Sequence, residues 1–384
     1  MATNPPQRIL VRGVNWLGDA VMSTPALERL RQARPEAHIT LLTHEKLKDI
    51  WTHHPSINAV QTFAPGEGPV AIGRRLRKEK FDLALAFPNS PRSALELWLA
   101  GIPQRVGYAR PWRNWFLTQR VASRPEDAPM HKRSVDEINR LVAGGEAASA
   151  ARYTATAHHI HQYLHLTAAL GADPAPLPPL ISVPERAVAQ LIARFNLAPA
   201  GSPAPVWLGL NPGAEYGPAK RWPEERFIQA AIEIQRRTKC RWLVFGLKSD
   251  HDLCLRIATN IFRATEKEFG REQAAEHPHV INLAGETSLR ELCAALKLCR
   301  VLLTNDSGPM HVAAALGTPV VAPFGSTSPE LTGPGLPGDR RHACLRAGVP
   351  CSPCFLRECP IDFRCMTGIA VDAVVGAVAQ ALGV

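Results

Sequence analysis

The sequence predicts an α/β protein built from two Rossmann-like domains that face one another across a cleft. Three observations predict it. Short apolar strands alternate with helical stretches, the pattern of parallel sheets with crossover helices. A Pro-rich segment, residues 171–184 (GADPAPLPPLISVP), interrupts that alternation near the middle of the chain. The alternation then restarts, and 384 residues suffice for two ordinary domains. The expected division is 1–184 and 185–384.

In the first half, residues 8–12 (RILVR) read as a buried strand running into the loop GVNWLGD at 13–19. Residues 19–33 carry apolar side chains at helical spacing. Strands follow at 38–42 (HITLL) and 81–87 (FDLALAF), the second preceded by a charged helical stretch at 73–80. A Pro/Gly-rich segment, 199–205, precedes the second series. Its strands are expected at 206–210 (VWLGL), 241–245 (RWLVF), 280–283 (VINL), 301–304 (VLLT) and 319–322 (PVVA), with a last amphipathic helix at 370–382.

Composition narrows the function. The 46% hydrophobic and 20% charged residues fit a packed globular protein. The net charge of +10 is uneven: residues 1–190 hold 23 basic and 16 acidic side chains, the remainder 21 and 18. A basic first half suits an anionic partner. Nucleic acid is the less favoured choice for that partner, because no zinc-finger, RRM-like or aromatic-basic pattern appears. The start of the chain has no apolar leader and no apolar run reaches 18 residues, so a cytoplasmic protein with only surface contact to a membrane is expected. Nine cysteines, an odd number, fit a reducing compartment better than a disulfide framework.

Three loops at strand ends carry the candidate chemistry. GVNWLGD contains Gly18 and Asp19 but is neither a GxGxxG fingerprint nor a Walker loop, which argues against a dehydrogenase. An acid there repels a pyrophosphate, so Asp19 suits proton abstraction; the alternative is a helix N-cap. NPGAEYGPAKRWP at 211–223 contains Gly213 and puts Lys220 and Arg221 just before a helix, a good phosphate site unless the pair is merely solvated. TNDSGPMHVAAALG at 304–317 offers Ser307 and Gly308 amides to an anion, Asp306 to sugar hydroxyls, and His311 in the first helical turn. The alternative is an ordinary capped helix.

Two further features stand out. Between Glu96 and Glu126 the chain has no acid, yet it carries Arg105, Arg110, Arg113, Arg120 and Arg124 with Trp112 and Trp115. This stretch reads as a loop suited to an anionic or membrane-surface partner, with Arg133 just beyond it. The Cys-rich insertion at 344–365 contains Cys351, Cys354, Cys359 and Cys365. Its C-x2-C half-site makes structural zinc an option, against the alternative of reduced thiols in a turn-rich loop.

In order and spacing, RGVNWLGDAVMSTPAL, FPNSPRSAL, NPGAEYGPAKRWP, GLKSDHD, NLAGETSL and TNDSGPMHVAAALGTPVVAPFG resemble the family-nine glycosyltransferases, the lipopolysaccharide heptosyltransferases. The resemblance spans about residues 8 to 335. It implies a GT-B fold, an ADP-heptose donor, a lipid A-linked inner-core acceptor at the inner membrane surface, and inversion with no cofactor or catalytic metal. By motif match Asp19 is the general base and Lys220 neutralises the diphosphate. Asp306, Ser307 and Gly308 hold the sugar-phosphate portion, and Asp250 meets the ribose. Asn89, Ser90 and Arg92, in the string PNSPRSAL, join Arg105, Arg113 and Arg133 as acceptor candidates. Residues on both domains then imply domain closure. A non-catalytic nucleotide-sugar or anion-binding module is the reading of a different class.

Overall fold

The computed structural model describes residues 8–144, 153–197, 205–269 and 278–384. The first seven residues, read above for a leader, and residues 199–204 of the Pro/Gly-rich segment lie outside this description. The chain forms two compact units, Met1–Asp127 with Thr156–Ser182, and Ala128–Ala155 with Val183–Val384. The later crossing falls two residues before the expected division. The two earlier crossings, after residues 127 and 155, were not expected. Residues 128–155 group with the second unit because Ile138, on helix Val135–Ala143, packs with Cys351 and Cys354.

The first unit holds strands β1 (Arg8–Arg12), β2 (His38–His44), β3 (Ala59–Phe63), β4 (Leu83–Ala86), β5 (Gln104–Tyr108) and β6 (Gln119–Val121). They form one sheet in the order β3-β2-β1-β4-β5-β6. The second holds β7 (Trp207–Asn211), β8 (Arg241–Val244), β9 (Val280–Asn282), β10 (Leu302–Thr304), β11 (Val320–Pro323) and β12 (Ala343–Leu345), in the order β12-β11-β10-β7-β8-β9. Every pairing is parallel. Counted from its own first strand, each sheet has the doubly wound order 3-2-1-4-5-6. The winding reverses between β1 and β4 and between β7 and β10. Ligands of such sheets bind at the carboxyl ends of the strands beside that reversal.

The central strands are buried on both faces, so LALA and WLGLN read as continuous apolar runs. Strands β3, β5, β6 and β12 were not expected. Most of β3 and all of β12 are only half-buried, and β5 and β6 begin with polar, partly exposed residues. The stretch read as an Arg-rich loop therefore contains two strands. The helix expected at 19–33 is two helices, Leu17–Met22 and Thr24–Ala33. The Ser23 hydroxyl donates to the Ala20 carbonyl at 2.7 Å, and Pro25 opens the second helix, where its missing N–H costs nothing. Among the described residues no helix is long and apolar enough to cross a membrane.

Candidate active site

In the first unit the loop after β1 is anchored by charge. Arg12 Nε stands 2.8 Å from Glu96 Oε2, with both side chains buried. The other Glu96 oxygen accepts from Arg92 Nε at 3.0 Å. Arg12 also donates to Asn15 Oδ1 at 3.2 Å, which ties the loop back to the end of its strand. A buried carboxylate shared by two guanidiniums is compensated; removing one partner would leave a costly unpaired charge.

Asp19 is not a helix cap. Helix Leu17–Met22 has Trp16 at its N-cap position, and Asp19 lies inside the first turn, one residue after Gly18. The Tyr163 hydroxyl donates to the Asp19 carboxylate, and His159 lies close enough to feel its charge. Both come from or adjoin helix Ile160–Ala168. The Tyr163 ring is buried and meets Phe87 edge-on at 5.3 Å between centroids. Burial first, then the Asp19 charge, raises Tyr163 well above its ordinary range, so the phenol stays protonated as a donor. Burial lowers His159, with Asp19 and Asp127 pulling the other way. Sequence reading missed Tyr163 and His159, because a Tyr and a His at a helix start carry no local mark of a carboxylate about 140 residues upstream.

The acceptor candidates separate into two groups. Ser90 caps helix Pro91–Leu99, accepting from the Ser93 amide at 3.3 Å. Asn89 Oδ1 accepts from Arg113 at 3.1 Å, and half-exposed Arg92 also donates to the Glu67 carbonyl. These three stay at the carboxyl edge of β4. The other three arginines depart from the expected exposed basic face. Arg113 is fully buried, bonds the Pro88 carbonyl at 2.9 Å, and is lowered by burial to about 10. Arg105 donates to the carbonyls of Phe116, at 2.7 Å, and Ile102, so its guanidinium straps a turn. Arg133 belongs to the second unit, where it bonds the Pro350 carbonyl at 2.9 Å and pairs with Glu137. In each case a backbone carbonyl takes a donor that the sequence reading offered to the acceptor, and Arg113 Nε and Nη2 stay buried without a partner. Trp112 and Trp115 remain 85% and 86% exposed.

In the second unit the loops after β7 and β10 are stitched together. Asn211 Nδ2 donates to Thr304 Oγ1 at 3.0 Å and to Ser307 Oγ at 3.1 Å. Asn305 accepts from the Trp222 amide at 2.9 Å and donates to the Pro212 carbonyl at 2.7 Å. This frame sets Lys220 Nζ 2.6 Å from Asp306 Oδ2. The same oxygen accepts from Thr327 at 2.5 Å, a partner that sequence reading did not single out. Asp306 thus holds the lysine, in addition to any role toward hydroxyls.

Asp250 is 7% exposed, accepts from the Leu247 amide at 3.1 Å and faces Arg221 Nη2 at 3.4 Å. A Cβ on Gly213 would come within 2.6 Å of Asp250 Oδ2, so only glycine fits there. Asp250, Arg221 and Gly213 therefore form one packed group. Ser307 occupies the N-cap position of helix Gly308–Ala315 but spends its hydroxyl on Asn211 and Thr304, not on a helix amide. His311 is buried in that helix.

Of the four late cysteines, Cys351, Cys354 and Cys365 are buried, and all four are free thiols. Burial raises Cys351 and Cys354 and pushes Cys365 up to about 12. Among the described residues no three Cys, His, Asp or Glu side chains stand ready-gathered around a metal position.

Residues 70–363 match the model of glycosyltransferase family 9 (heptosyltransferase). Over 333 residues the chain is 31% identical to lipopolysaccharide heptosyltransferase 2 of Escherichia coli strain K12, covering 85% of each protein. It is 29% identical over 332 residues to lipooligosaccharide heptosyltransferase 2 of Haemophilus influenzae strain Rd, again covering 85% of each. The solved structure of the E. coli ADP-heptose lipopolysaccharide heptosyltransferase II superimposes with a TM-score of 0.73 at 26% identity, over 98% of both chains. The chain is thus a glycosyltransferase of the GT-B class. It belongs to glycosyltransferase family 9, the heptosyltransferases, as its motifs implied.

Proposed function

We propose that this enzyme transfers heptose from ADP-heptose to the inner core of lipopolysaccharide, with inversion, adding the second heptose to the first. The observation that carries the mechanism is the placement of two complementary sets of groups at the two sheet reversals. One unit presents a carboxylate, Asp19, held by Tyr163. The other presents a cation, Lys220, held by Asp306. A single displacement needs both. The acceptor hydroxyl loses its proton to Asp19 as its oxygen attacks the anomeric carbon. The bond to ADP breaks on the opposite face, and Lys220, Arg221 and the amides after Asp306 meet the developing phosphate charge. That charge is met by protein groups, so brief exposure to EDTA leaves turnover unchanged. The choice of the second heptose follows the likeness to heptosyltransferases 2 over most of the chain.

The enzyme works at the cytoplasmic face of the inner membrane. Exposed Trp112 and Trp115 support that reading, since indole rings favour the interfacial zone. The test is an assay of purified protein with ADP-heptose and inner-core acceptors carrying no, one or two heptoses. The one-heptose acceptor alone should be consumed. Consumption of the heptose-free acceptor would make this the enzyme of the first addition. Donor binding without turnover of any acceptor would make it a binding module.

A further inference from the structure

Cys351, Cys354, Cys359 and Cys365 all line one small cavity of about 10 Å³, room for a single water-sized particle. They are spaced x2, x4 and x5 in a loop between β12 and helix Val371–Leu382. Ile138 packs on its first two cysteines, and Cys365 joins the main core of the unit. Cys359 Sγ accepts from the Phe363 amide at 3.3 Å. Arg364 lines the same cavity, and the Arg133 amide donates to the Cys354 carbonyl at 3.1 Å, so two cationic residues border the sulfurs.

We propose that these four cysteines bind one structural zinc ion. Four sulfur donors with no open position make a closed tetrahedral site, which suits Zn²⁺. Binding releases four protons as four thiols become thiolates. The resulting site carries two negative charges beside Arg133 and Arg364. The sulfurs are not already gathered around a common point, so loading draws them inward to about 2.3 Å from the ion. Metal binding and closure of the loop are then one coupled event.

The loop has work to do away from its own sulfurs. The Tyr216 hydroxyl donates to the Phe355 carbonyl at 2.7 Å, and the Ala219 amide to the Arg357 carbonyl at 3.0 Å. Gly217 passes so close that a Cβ would lie 2.5 Å from that carbonyl oxygen. On its other side, the Phe355 amide bonds the Ser326 carbonyl at 2.7 Å, next to Thr327. The Cys-rich loop therefore braces both segments that hold Lys220 and Asp306. A zinc ion inside it stiffens the phosphate side of the site while taking no part in the chemistry; this last step rests on the donor role proposed for Lys220.

The test begins with the parent chain, purified under reducing conditions without added metal. Elemental analysis should give one zinc per chain, released by a mercurial reagent. Cys354→Ser and Cys365→Ser should each lose most of that zinc. Cobalt-grown parent protein should show the intense thiolate-to-cobalt absorption of a tetrahedral site, a readout that needs no variant. Zinc-stripped protein should melt lower and bind ADP several-fold more weakly than the loaded parent. Absence of zinc from the parent, with none taken up when it is supplied, overturns the site. Full zinc content in both serine variants does so as well, and iron in place of zinc overturns the choice of ion. Equal ADP affinity with and without zinc removes the brace. Failure of the zinc-loaded parent itself to bind ADP would count against the donor site and leave the metal result standing.

Discussion

Lys220 Nζ and Asp306 Oδ2 are 2.6 Å apart, and both side chains are largely buried. The carboxylate fixes the ammonium before any ligand arrives, so little rotamer freedom remains to be lost on binding. Lys220→Ala should weaken ADP binding about 10- to 100-fold, the equivalent of roughly 1.5–3 kcal/mol for a charge-assisted contact. Lys220→Arg should weaken it less. Calorimetry with ADP checks both, and unchanged affinity in the alanine variant would remove Lys220 from the donor site.

Asp19→Asn should keep the fold and ADP affinity but lose about 10²–10⁴-fold in turnover, the usual contribution of a general base. Circular dichroism, ADP calorimetry and single-turnover rates separate these effects. Near-parental turnover in a folded variant would reduce Asp19 to a structural residue.

Tyr163→Phe removes the hydroxyl that donates to Asp19. That bond favours the charged carboxylate, so its loss should move the acid limb of the kcat profile to higher pH. Turnover near neutrality should fall several-fold, while ADP affinity stays constant. A profile superimposable on the parent's would show that Tyr163 only fills space against Phe87.

Burial lowers His54 to about 4, and lowers His342 to about 4 against the partial opposition of Asp339. Both take up protons more readily when unfolded, where a histidine titrates near 6.5. Their contribution to stability is therefore complete above about 6.5 and drains away as pH falls toward 4. The urea midpoint should drop across that window. His54→Gln and His342→Gln, if folded, should each flatten the drop; an unaltered slope would assign acid sensitivity to other groups.

Trp112→Ser combined with Trp115→Ser should abolish binding to vesicles rich in phosphatidylglycerol, with little effect on thermal stability, because both rings are in solvent. Sedimentation with vesicles at low and high salt measures this. Retained binding would move the membrane contact elsewhere.

The alternation of strands and helices was legible because the central strands are apolar on both faces. The loops around Asp19, Lys220 and Asp306 were legible because Gly, Pro and acid or base cluster at strand ends. What escaped was tertiary in origin. β5 and β6 hide in an Arg-rich stretch because their outer ends are polar. Arg113 reads as a surface charge until the Pro88 carbonyl and Asn89 enclose it. Tyr163 becomes part of the Asp19 environment only after the chain has folded back upon its own beginning.

That return has a consequence for how the protein is made. The first unit is not continuous: residues 128–155, which belong to the second, interrupt it before helix Ile160–Ala168. A nascent chain that has emerged only to Asp127 has a sheet but lacks the donor to Asp19. One that has emerged to Ser182 has that donor, yet still carries Ile138 without the cysteine residues it packs against. Vectorial synthesis thus cannot finish the halves one after the other. The amino-terminal half waits on the ribosome with the apolar Ile138 uncovered until the last tenth of the polypeptide appears.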